Sequence, residues 1–105
     1  MVPRGSRVLD LGCGDGALLG HLIGAKECDG TGVEISDEGF HACVARGVPV
    51  VVADIDQGLG DVDDDAYDVV ILSQTLQATH RPALVLQEMM RVGRVGIVSF
   101  PNFGH

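Results

Sequence analysis

Val8-Leu9-Asp10-Leu11-Gly12-Cys13-Gly14-Asp15-Gly16 is a short apolar run that breaks into three glycines within five residues. Beyond it Ala17, Leu18, His21, Leu22 and Ile23 recur at helical spacing, so the stretch reads as a strand, a tight turn and a helix. Gly12 and Gly14 let the backbone turn sharply and approach a ligand closely, and the following helix N-terminus offers it unpaired N–H groups. A nucleotide-type ligand at the carboxyl end of the strand is the expectation. A tight turn without a ligand is the weaker alternative.

The same alternation continues along the chain. Residues 30–35 are a brief β-branched strand, and Ser36 caps a helix opened by Asp37 and Glu38, whose carboxylates suit the positive end of the dipole. Phe40 and Val44 form an apolar i,i+4 pair on that helix, and Gly47 terminates it. Residues 48–53 are a third strand. After an acidic loop, residues 67–72 form a fourth, and its Val69-Val70-Ile71-Leu72 run is apolar on both faces, as in the middle of a covered parallel sheet. Pro82 suits the first turn of a helix carrying Leu84, Leu86, Met89 and Met90, in which the two methionines and the aliphatic run before them supply core packing, Gly93 closes it, and residues 95–100 are a fifth strand. Five strands joined by helical or loop crossovers predict an α/β fold with a doubly wound, mostly parallel, Rossmann-like sheet over residues 1–105, one domain.

Composition limits the function. With 46% hydrophobic and 21% charged residues the chain is that of a packed domain, which excludes disorder, and 105 residues leave no room for two independent domains. A formal charge of -8 disfavours nucleic acid and anionic membranes as partners. Cys13, Cys28 and Cys43 form no CxxC pair, so a reducing compartment is expected and the cytoplasm is the default. No apolar run approaches the roughly 18–20 residues that span a bilayer. Val2-Pro3-Arg4-Gly5-Ser6 matches the core of a thrombin recognition site of the kind left by tag removal, but it also reads as a natural lead-in to Arg7-Val8-Leu9, which is preferred.

Three acids and their neighbours carry the chemistry. An acid two positions before the first glycine, Asp10, suits a cationic amino group or a water close to the ligand, which points to an amino-acid-bearing molecule. Glu34, at the end of strand two, suits a pair of ribose hydroxyls, although alone it reads as a solvated acid at a helix entry. Asp54, at the end of strand three, can accept from an exocyclic adenine amine while the backbone of Ile55 meets the ring edge. Gly12, Gly14 and Ala17 also fit the dinucleotide pattern, which keeps an NAD-binding domain as a distant alternative. Cys13 sits near a helix N-terminus, a setting that lowers a thiol's pKa, and reads as a small residue lining the ligand. His80 is the best-placed candidate base, with a solvated or capping role as the plainer option. His21 and His41 have no partners at metal-ligand spacing. Asp61-Val62-Asp63-Asp64-Asp65 starts like a calcium loop, but Ala66 and Leu72 stand where its glycine and glutamate belong, so no metal site is expected.

VLDLGCGDG (8–16), GVEI (32–35), ADI (53–55) and YDVVILSQTLQ (67–77) resemble, in order, the S-adenosylmethionine (SAM) site of class I SAM-dependent methyltransferases. Residues 72–105, above all the SQTLQ and SFPNFGH segments, resemble the MetW family of bacterial methionine biosynthesis. The resemblance implies that Asp10, Gly12 and Gly14 hold the methionine end of SAM, Glu34 the ribose, and Asp54 with Ile55 the adenine, and Cys13 and Ile35 are counted among the cofactor-binding residues beside them. It places Ser73 and Gln74 on the transfer side, with S-adenosylhomocysteine as product. Methyl transfer to an unidentified small acceptor is one implied function, and no catalytic residue is assigned. Another is a non-catalytic or SAM-responsive subunit that supports homoserine O-acetyltransferase. There are two departures. Members of the superfamily generally have seven strands, so a chain ending after five looks truncated, and its fifth strand would be an open edge through which two copies pair. Ser73-Gln74-Thr75-Leu76 also lacks the (Asp/Asn)-Pro-Pro-(Tyr/Phe) loop of many amine methyltransferases, which disfavours base or glutamine methylation.

Overall fold

A computed structural model of the chain describes residues 2–73 and 79–98. Its strands are β1 (Arg7–Leu11), β2 (Asp29–Glu34), β3 (Val50–Val52), β4 (Tyr67–Leu72) and β5 (Gly93–Val98). They are joined by α1 (Ala17–Lys26), α2 (Asp37–Arg46) and α3 (Pro82–Val92), with a 3-10 turn at Ile55–Gln57. Every pair is parallel and the order is β3-β2-β1-β4-β5. The chain therefore starts in the middle, winds outward through β2 and β3, and returns to build β4 and β5 on the other side. The reversal between β1 and β4 opens a crevice at the carboxyl ends of the strands, where ligands bind in such sheets.

Both faces of the sheet are covered, as the apolar runs predict. Val8, Val69 and Ile71 point to one side and pack with Leu19 and Leu22 of α1 and Cys43 of α2. Leu9, Leu11, Val70 and Leu72 point to the other, where Val85, Met89 and Val92 of α3 meet them. Val2 is buried against the first of these clusters, and the Gly5 N–H donates to the Lys26 carbonyl at 2.9 Å, so the lead-in segment is part of the packed structure.

Local signals set the element ends. Ser36 caps α2, its Oγ accepting from the Gly39 N–H at 3.0 Å, and Gly47 ends it in the left-handed conformation, both as expected. Gly93 differs. It is extended, with φ -120° and ψ 149°, and begins β5 directly after α3, two residues earlier than the sequence suggested; residues 99 and 100 lie outside the described residues. A Cβ at Gly93 would overlap Val70 Cγ2, so glycine is needed because the new strand starts hard against β4. The core face of α3 also differs from the expected set. Val85, Met89 and Val92 are buried, whereas Leu86 is exposed and Met90 is 79% exposed. On α2, Val44 is exposed and Cys43 takes the buried position.

The acidic loop before β4 is pinned by one side chain. The Arg91 guanidinium donates to the carbonyls of Leu59 at 2.8 Å and Val62 at 2.7 Å, and pairs with Asp64 at 2.8 Å and Glu88 at 2.7 Å. One arginine thus ties two loop carbonyls and the loop carboxylate of Asp64 to Glu88 on its own helix. Among the described residues no group of His, Cys, Asp or Glu has a metal-binding arrangement. No helix among them is long and apolar enough to cross a membrane.

Candidate functional site

Gly12, Gly14 and Gly16 all have positive φ, at 71°, 59° and 80°, a conformation that side chains with a Cβ rarely adopt. The turn they make is anchored to β2: the Gly12 and Cys13 N–H groups both donate to the Val33 carbonyl, at 2.8 and 3.1 Å. Glu34 secures the other end. Its Oε1 accepts from the Gly14 N–H at 2.9 Å, and its Oε2 accepts from the Ser36 N–H at 3.1 Å and the Ser36 hydroxyl at 2.7 Å. At 4% exposure Glu34 is a buried brace of the glycine loop, which corrects its alternative description as a solvated acid.

Asp10, the penultimate residue of β1, is 1% exposed. Its Oδ1 accepts from the Ser73 hydroxyl at 2.5 Å, which joins the ends of β1 and β4, but its Oδ2 is buried with no hydrogen-bond partner. Burial pushes this carboxyl up to about 6, the hydrogen bond from Ser73 opposes the rise, and the nearby charge of Glu34 adds to it. A buried acceptor left unpaired is costly.

An open cleft of about 260 Å³ lies at the carboxyl ends of the strands, lined by Gly12, Val33, Ile35, Ala53, Asp54, Ile55, Asp56, Thr79 and His80. Of the ten residues expected at the site, Gly12, Ile35, Asp54 and Ile55 line this cleft. Asp10, Gly14, Glu34 and Ser73 surround the glycine loop beside it, and Gln74 lies outside the described residues. The Cys13 side chain faces away: it packs in the core of the α1 and α2 side, with Sγ 3.5 Å from Cys43 Sγ. Burial first, and the Cys43 thiol next, push its pKa up, the opposite of the lowering expected at a helix N-terminus. Gly32 makes room for it, since a Cβ there would lie 2.5 Å from Cys13 Sγ.

His80 stands in the wall of the cleft with Asp54 and Ile55, so it belongs to the end of the site that the sequence gives to a nucleobase, not to the side of Ser73. Asp56 was not singled out by the sequence. Its carboxylate accepts from the His80 N–H at 3.1 and 3.0 Å and from the Arg81 N–H at 3.0 Å, and these bonds hold its pKa below the usual carboxylate range. The only local signal was the spacing Asp54-x-Asp56, because the partners lie 24 and 25 residues away.

The chain is similar throughout to proteins of one kind. The profile described as methionine biosynthesis protein MetW matches residues 1–105. The bifunctional methionine biosynthesis protein MetXA/MetW of Rhodopirellula baltica is 42% identical over 113 residues, covering 100% of this chain and 18% of that protein. Among solved structures, a chain of the Haloferax volcanii complex between the Trm112 methyltransferase activator and its methyltransferase-type partner superposes with a TM-score of 0.77 at 30% identity, over 87% of this chain and 42% of that one. A SAM-dependent methyltransferase from Archaeoglobus fulgidus gives 0.73 at 27% identity, over 87% and 40%. The chain thus spans less than half the length of these structures and about a fifth of the curated relative. Its five-stranded parallel sheet is the class I methyltransferase fold, shortened relative to these structures, and the chain belongs to the MetW family of methionine biosynthesis proteins.

Proposed function

We propose that the chain binds SAM across the carboxyl ends of β1, β2 and β3 and serves methionine biosynthesis as a methyltransferase-type protein acting on a small acceptor. The observation that carries this is Asp10 Oδ2, a buried acceptor without a partner beside a loop of left-handed glycines. The residues present fit SAM. Asp10 meets the cationic amino group, Glu34 has lone pairs left for ribose hydroxyls, and Asp54 with Ile55 takes the adenine, with Ile35 beside them in the cleft wall. The acidic surroundings favour a cationic ligand and repel the pyrophosphate of NAD, so the dinucleotide alternative loses its physical basis.

When bound, SAM supplies a methyl group on a sulfonium. Such transfer needs in-line positioning and exclusion of water, with a base only where the acceptor must lose a proton. Here Ser73 keeps Asp10 oriented and Glu34 fixes the Gly14 N–H.

The fusion in the Rhodopirellula baltica relative supports a second role, association with homoserine O-acetyltransferase. In that role SAM, a downstream product, acts as an effector by binding one state of the complex better than another. Calorimetric titration with SAM, S-adenosylhomocysteine and NAD, on the wild-type chain and on Asp10→Ala and Glu34→Ala, tests the site. SAM binding that either substitution abolishes is expected, and binding of NAD in its place sinks the assignment. A methyl-transfer assay with and without the acetyltransferase then separates enzyme from effector-binding subunit, since only an enzyme demethylates SAM.

A further inference from the structure

Resting on the SAM reading above, we infer that Asp56 is a positioning residue for the nucleoside end of the ligand, acting through His80. Asp56 is buried, and both of its carboxylate oxygens are spent on the backbone of residues 80 and 81. Its own N–H donates to Asp54 Oδ1 at 2.9 Å. A continuous chain of hydrogen bonds therefore runs from Asp54, through Asp56, to the segment that carries Thr79 and His80 in the cleft wall.

That segment lies in no helix or strand. The helix after it, α3, begins without a side-chain cap of its own, since Arg81 at the N-cap position makes none. Asp56 supplies a negative group there, accepting from the N–H groups of His80 and Arg81 immediately before the first helical residue and suiting the positive end of the helix dipole. The Arg81 guanidinium returns the contact, donating to the Asp56 carbonyl at 3.4 Å. The lip that carries Asp54 and Ile55 and the wall that carries His80 are thereby fixed to one another. The planar ring of His80 offers an aromatic surface to a purine, and its distance from Ile55 is set by this strap.

Titration calorimetry with two probes tests the assignment: SAM itself, and 5′-methylthioadenosine, which keeps the nucleoside and lacks the amino-acid end. Asp56→Ala is expected to weaken both by the same factor, about tenfold for the loss of charge-assisted bonds, and Asp56→Asn, which keeps one acceptor oxygen, by less. His80→Ala is expected to weaken both as well, and in the Asp56→Ala background to add almost nothing, because both changes remove one contact. Arg91→Ala serves as the control for general destabilisation, lowering Tm while leaving both affinities in place. A wild-type chain that binds neither probe overturns the SAM reading together with this one. A wild-type chain that binds both, with Asp56→Asn and Asp56→Ala binding equally well or with the Asp56 and His80 effects simply adding, overturns this inference alone.

Discussion

Asp10 shows how one side chain ties stability to ligand binding. Its carboxyl has an ordinary value of 3.8 and is held at about 6 in the fold, by burial above all. A folded value above the unfolded one means that the neutral acid stabilises the fold in full below about pH 4, and that this contribution, on the order of 2–3 kcal/mol, is lost as pH rises through 6. Asp10→Asn is therefore expected to raise the Tm of the ligand-free chain at about pH 7 and to change it little at about pH 4, while weakening SAM binding. Tm curves for the two proteins that run parallel across that range would contradict the assignment. Asp56, Asp68 and Glu88 act in the opposite direction: their values are lowered, so their stabilisation is present above the ordinary carboxylate range and lost as pH falls below it. The candidacy of Asp10 for the site was legible from its place before the glycines. Its unpartnered oxygen was not, because that depends on what packs around it.

Among the elements, those whose signals are local behaved as their sequence predicts. The cap of α2, its terminating glycine and the glycine turn after β1 each depend on residues within a few positions of one another. The face of α3 did not, since Leu84, Leu86, Met89 and Met90 are all apolar and only the position of the sheet selects Val85, Met89 and Val92 for burial. Gly93 likewise reads as a helix stop but acts as a strand start. Gly93→Ala is expected to cost about 1–3 kcal/mol by overpacking against Val70, measured by urea denaturation. A variant with unchanged midpoint would show that β4 and β5 yield more easily than their packing implies. Arg91→Ala, which releases the carbonyls of Leu59 and Val62 together, is expected to lower Tm by several degrees and to expose the amides of the acidic loop to hydrogen exchange.

For the whole molecule, the described sheet has β3 and β5 as its outer strands, and Leu86, Met90 and Val95 are exposed on and beside the β5 edge. Apolar side chains grouped on an exposed face promote association between chains. Concentration-dependent self-association is therefore expected in sedimentation measurements, and Met90→Lys combined with Val95→Lys is expected to suppress it. Association that persists unchanged in the double variant would place the contact elsewhere. The sequence by itself determined the succession of strands and helices, the parallel doubly wound class, the glycine loop, and the acids at the strand ends, because periodicity, turn chemistry and caps are properties of near neighbours. Only the tertiary structure decided which acids are buried and what they hold. Asp10 meets Ser73 across 63 residues, Asp56 meets His80 across 24, and Cys13 turns toward Cys43 across 30. Burial and long-range hydrogen bonding depend on which distant elements the sheet brings together, and no local pattern along the chain encodes that meeting.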